Sequence, residues 1–147
     1  MKRIKRIFCL SLVIVSALVL CACSKDYNSI TYKRFTEKMG NELNYAITDN
    51  TLSYEGIYER EYTAIKEDII FIFYEFSDKE SAKEYVKSNY SKLKYYSYSD
   101  KGDYSIVKSS KAGYFKLIQV DNIVISGYSD NSGNKSSINK AFNKLGF

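Results

Sequence analysis

Two kinds of hydrophobic spacing alternate along the chain after residue 30. Tyr32, Phe35, Met39 and Leu43 recur every three or four positions, which predicts a helix over 32–44 with one buried stripe, N-capped by Thr31 and weakened by Gly40. Asp49 and Asn50 mark a turn. Residues 57–65 then alternate as a strand does, with Tyr58, Tyr62 and Ala64 on one side. Glu67 and Asp68 lead tightly into IIFIFYEF, residues 69–76, apolar on both faces apart from Glu75; such a run predicts a central strand covered at least in part on both sides.

Ser77 and Glu80 stand at capping-box spacing, ahead of a helical stripe of Ala82, Tyr85, Val86, Tyr90 and Leu93. A tyrosine-rich strand over 95–99 turns through 100–103 into a strand over 104–108. Ala112 and Gly113 turn the chain into 114–120, and Asp121 and Asn122 form a two-residue hairpin turn into 123–128. After a polar loop with Gly133, a final helix carries Ile138, Ala141, Phe142 and Leu145, and Gly146 ends it as a left-handed cap. The order predicts an α+β fold: an antiparallel sheet of about five to six strands with three helices packed mainly on one face.

The first 22 residues follow neither spacing. Lys2, Arg3, Lys5 and Arg6 precede an apolar run over 7–20 interrupted only by Ser11 and Ser16, and small Ala22 precedes Cys23. The run is shorter than the roughly 20 residues a membrane span needs, and its order is that of a secretory signal. Leu20, Cys21, Ala22 and Cys23 resemble the lipobox of bacterial lipoproteins, with an aliphatic residue three before the cysteine and a small one just before it. Cys21 fits less well as the modified residue, because bulky Leu20 stands at its small-residue position. The resemblance implies that the Cys23 thiol receives a diacylglyceryl group and that signal peptidase II cuts between Ala22 and Cys23. It further implies a protein held on the extracytoplasmic face of the cell membrane, since two or more acyl chains anchor durably where one does not. An uncleaved membrane anchor and an ordinary secretory signal with incidental cysteines are the alternatives. The carboxyl-terminal KAFNKLGF, residues 140–147, is similar to the endings of small lipoproteins of clostridia and their relatives, a group that brings no activity with it.

Processing of this kind changes the picture that composition gives. The formal charge of the whole chain is +5, but losing the four cations of the signal leaves 18 basic against 17 acidic residues, a net +1. The hint of nucleic acid or anionic lipid that a basic chain carries then disappears. Cys9 and Cys21 leave with the signal and Cys23 is taken by lipid, so no disulfide supports the fold. The expected organisation is a signal over 1–22, the lipidated cysteine and a short tether over 23–30, and a single extracytoplasmic domain over 31–147. The tether is too short to carry the domain far from the bilayer.

Candidate chemistry is narrow. The chain has no histidine, which removes Ser-His-acid and Cys-His nucleophiles and the usual zinc and haem ligand sets. No phosphate-cradling glycine motif occurs, and no cofactor is expected. Glu59 and Glu61, two apart on a predicted strand, are a possible acid and base pair for glycosidic bonds, or simply a solvated face. Asp130, Asn131, Gly133 and Asn134 offer oxygen ligands in one loop but lack the spacing of an EF-hand; a turn before a helix accounts for them as well.

Tyrosine is the remaining feature, at 15 residues with no tryptophan. Tyr95, Tyr96 and Tyr98 cluster, with Tyr104 placed to meet them across the hairpin, a candidate recognition surface or ordinary strand filling. Lys92, Lys94 and Lys101 nearby are compatible with single-stranded nucleic acid, which an extracytoplasmic address disfavours. The expected role is a non-enzymatic binding module in contact with an envelope protein near the bilayer. A glycan or small-ligand receptor and a carboxylate-dependent envelope enzyme are the alternatives. A hollow lined by the tyrosines favours a ligand; a flat exposed patch favours a protein.

Overall fold

A computed structural model describes residues 27–51 and 57–147; the expected signal over 1–22, the expected cut between Ala22 and Cys23, and Cys23 itself lie outside the described residues. Helix α1 (Tyr32–Thr36) opens at Thr31, whose hydroxyl accepts the Arg34 backbone N–H at 3.4 Å, and continues as a π-helical turn over Glu37–Glu42. Its stripe lies as the spacing predicts: Phe35 and Met39 are fully buried, Tyr32 and Leu43 half-buried.

Strands β1 (Ala46–Asp49), β2 (Arg60–Lys66), β3 (Ile69–Glu75), β4 (Ser97–Asp100), β5 (Tyr104–Ser109), β6 (Tyr114–Val120) and β7 (Ile123–Ser129) form one sheet in the order β1-β2-β3-β7-β6-β5-β4. Every neighbouring pair is antiparallel. The count is seven rather than five to six. The additional strand, β1, is a four-residue edge strand with only Ile47 half-buried, too short to show an alternation.

Side-chain parity assigns the helices to faces. Ile118 and Ile125 share a cluster with Phe35 and Met39 of α1 and with Ile138 and Phe142 of α3 (Lys135–Leu145). Their neighbours Leu117 and Val124 pack on the other side with Ala82 and Val86 of α2 (Lys79–Tyr90). Two helices therefore cover one face, in keeping with helices packed mainly on one side, and the third covers the opposite face. This explains why β6 and β7 are buried almost throughout. Each fully buried large apolar side chain stabilises by about 1.5–3 kcal/mol, and both faces contribute.

Two close approaches set the packing. At Gly127 a Cβ would lie 2.6 Å from Phe71 Cε1 and 3.0 Å from Phe142 Cε2, so glycine lets α3 seat its aromatic ring on the sheet. The predicted Asp121–Asn122 hairpin forms, with Asp121 at φ 53°. Asn122 then ties the end of β3, donating from Nδ2 to the Phe76 carbonyl at 2.8 Å and accepting the Phe76 N–H at 2.9 Å.

Three local expectations differ. Tyr58 precedes β2 and packs with Tyr74 and Phe76 on the α2 face, away from Tyr62. The α2 cap is Asp78, whose carboxylate accepts the Ser81 N–H at 2.7 Å, and not Ser77. The chain joins the fold before residue 31: the Tyr27 ring meets Tyr104 edge-on at 4.6 Å and Phe147 at 5.8 Å, and Ile30 is buried. Gly146 caps α3 in the left-handed region as expected, at φ 106°. No helix among the described residues is long and apolar enough to cross a membrane.

Candidate functional site

The four tyrosines singled out in the sequence do not share one surface. Tyr98 pairs with Val107 across the β4–β5 hairpin and lies on the α2 face. Tyr104 pairs with Val120 and lies on the other face, against Tyr27. The turn between them decides this: Lys101 donates its N–H to the Tyr104 carbonyl, so Tyr104 sits opposite an odd-numbered position while Tyr98 is even. Tyr96 is half-buried, its ring 5.6 Å from Tyr90 and 5.4 Å from Phe115. Tyr95, just before β4, is 52% exposed.

Tyr95 and Tyr96 line a groove of about 550 Å³ at one end of the sheet. It is assembled from the segment before β4, the end of β5, the start of β6 and the first turns of α3. Its floor is Tyr114, which donates its hydroxyl to Asn139 Oδ1 at 3.1 Å. Lys94, Lys108 and Lys135 line it, together with Ser97, Ser109 and Ser110, and no carboxylate is among the lining residues. A smaller hollow of about 190 Å³ shares Tyr95, Tyr96 and Ser109 and adds Lys111. The Lys111 ammonium lies 3.2 Å from the centre of the Tyr95 ring and Lys94 lies 5.7 Å from it; a cation over an aromatic face is attracted by the ring quadrupole. All four lysines are exposed, and none forms an ion pair with the described residues.

A second groove, between α2 and β4, differs in charge. Lys83, Lys87 and Lys92 face Glu80, Glu84 and Asp100 there, with Tyr98 in the wall, so its field is largely cancelled. Of the lysines noted in the sequence, Lys94 belongs to the uncompensated groove, Lys92 to the balanced one, and Lys101 to the far end of the β4–β5 hairpin. Lys108, Lys111 and Lys135 carried no signal in the sequence, being scattered over separate elements that only the fold brings together.

The acid pair does not converge. Glu59 is exposed, whereas Glu61 is buried on β2 and accepts from Asn50 Nδ2 at 3.3 Å. Burial pushes the Glu61 carboxyl above the usual carboxylate range, and the Asn50 hydrogen bond offsets only part of this. The polar loop after β7 uses its own side chains. Asn131 accepts the Gly133 N–H at 2.9 Å, Asn134 Nδ2 donates to Asp68 at 2.7 Å, and Tyr128 donates to Asp130. These bonds tie the loop to the β2–β3 turn, and no group of three or more potential metal ligands is gathered among the described residues.

No family model matches the chain, and no curated protein matches it significantly.

Proposed function

We propose that this protein is a cell-envelope lipoprotein, anchored to the extracytoplasmic face of the membrane through lipid on Cys23, whose domain is a binding module and not an enzyme. The groove around Tyr95 and Tyr96 is its binding site, and its ligand is acidic. One observation carries this reading: four exposed lysines gather around an exposed tyrosine, and none has a carboxylate partner among the described residues. Like charges at close range repel, so a fold that leaves them together without compensation gains when an anion is bound. The anchor rests on the resemblance of residues 20–23 to a lipobox. An envelope protein presenting an acidic face and a free acidic ligand both meet the requirement of the groove.

The test is photo-crosslinking in cells, with a photoreactive residue at position 95 or, as a control, at position 101. Capture of a mass-shifted species from 95 and none from 101 is the expected result. Cys23→Ala should lose lipid labelling and release the protein, while Cys21→Ala should keep both. Equal capture from the two positions, or none from 95, would overturn the groove; labelling that depends on Cys21 would overturn the anchor.

A further inference from the structure

We infer that the ligand is a linear acidic polysaccharide, taken up at the end of the domain that points away from the membrane; the inference rests on the groove reading above. Shape is the first reason. The groove is open and mostly polar along the end of the sheet, and Tyr95, Tyr96 and Ser109 form a rim that it shares with the smaller hollow on the α2 face. An open trough of this kind suits a chain, whereas compact small molecules are usually enclosed in largely apolar pockets.

The lining chemistry is the second. Cations at Lys94, Lys108, Lys111 and Lys135 alternate with neutral groups, among them Ser97, Ser110 and Asn139. Ammonium groups match carboxylate or phosphate substituents, and hydroxyl and amide groups match sugar hydroxyls. Nucleic acid fits less well. Bases bind single-strand sites by stacking on open aromatic faces, and Lys111 stands over the Tyr95 ring at 3.2 Å.

The third reason is direction, which separates a polymer from the acidic headgroups of the anchoring bilayer. Tyr27 packs on Tyr104, the first residue of β5, and on Phe147, just beyond α3. The trough uses the opposite ends of the same two elements, Ser109 of β5 and Lys135 of α3. Six strand residues at about 3.4 Å each and eleven helical residues at about 1.5 Å each place the two ends roughly 16–20 Å apart. Cys23 is four residues before Tyr27, a reach of at most about 14 Å. Even fully extended, that reach is shorter than the separation of the two ends, so the anchor falls short of the end at which the trough opens.

Binding is measured on the lipidated full chain in nanodiscs of neutral phosphatidylcholine. The probes are oligogalacturonate, neutral oligodextran, a single-stranded oligonucleotide and vesicles containing phosphatidylglycerol. Oligogalacturonate should bind, losing about tenfold or more in affinity as salt rises from about 20 to about 200 mM. Lys108→Gln with Lys135→Gln should weaken it several-fold, and Lys83→Gln with Lys87→Gln in the balanced groove should leave it unchanged. Neutral oligodextran should not bind. Equal binding of the oligonucleotide, tighter binding of the phosphatidylglycerol vesicles, or indifference to Lys108 and Lys135 would overturn the inference. If no glycan binds while position 95 still captures a species in cells, the ligand class fails and the groove stands; if both are negative, the groove reading fails with it.

Discussion

Glu61 is the residue whose surroundings oppose its ordinary ionisation most plainly. It lies 8% exposed on β2, directly across from Tyr74, and among the described residues its carboxylate accepts a single hydrogen bond, from Asn50 Nδ2 at 3.3 Å. Burial raises its carboxyl, and burial raises the Tyr74 and Tyr85 hydroxyls beside it far above the usual tyrosine range, with Glu61 adding a smaller repulsion. The sign for stability follows from linkage. A carboxyl whose folded pKa is raised contributes stability that is fully present below the unfolded value and lost as pH rises through the folded one. Glu61→Gln keeps an acceptor for Asn50 and removes the charge. Its melting temperature should match that of the parent near pH 4 and exceed it near pH 7, the range over which an ordinary glutamate ionises. A variant less stable than the parent at neutral pH would mean that the charge has a stabilising counterpart.

At the scale of elements, the start of α2 tests how a helix boundary is specified. Ser77 and Glu80 have capping-box spacing, yet Asp78 accepts both the Ser81 N–H at 2.7 Å and the Ser81 hydroxyl at 3.1 Å, and those bonds hold its carboxyl below the usual range. Asp78→Ala should therefore lower the thermal midpoint followed by helical circular dichroism, and Ser77→Ala should lower it less. The part of the midpoint that Asp78 supplies is present above the ordinary carboxylate pKa and should vanish as pH falls through its lowered folded value. The one-residue shift illustrates what the sequence conveys. Helices announce themselves through stripes of three to four residues, and β3, β6 and β7 through apolar runs, because burial on a face or on both is written into composition. Parity across turns is not. Counting alternation from Ile57 put Tyr58 beside Tyr62, although β2 starts only at Arg60, and the β4–β5 turn sends Tyr104 to the face opposite Tyr98. Strand β1 has too few residues for a pattern. Of the candidate site, Tyr95 and Tyr96 were legible as members of a tyrosine cluster; Lys108, Lys111 and Lys135 were not, since no sequence spacing links them.

For the molecule as a whole, the arrangement has a polarity that a sheet covered on both faces makes rigid. Two aromatic-rich cores clamp β6 and β7 from opposite sides, so the ends of β5 and α3 are fixed relative to each other, and the tether end and the trough cannot approach. An anchored domain of this kind presents one end to the bilayer by geometry alone, without any contact to lipid. Thiol probes test this directly, because in the proposed mature form, with Cys23 lipidated and residues 1–22 removed, no other cysteine would remain. A fluorophore on Lys101→Cys, beside Tyr104 at the tether end, should be quenched by brominated lipids. The same fluorophore on Lys111→Cys, beside Tyr95 at the rim of the trough, should be quenched much less. Equal quenching would mean that the domain lies on its side, with the lysines among the headgroups; the uncompensated charge would then serve adhesion to the anchoring membrane, and the case for a polymer ligand would lose its directional support.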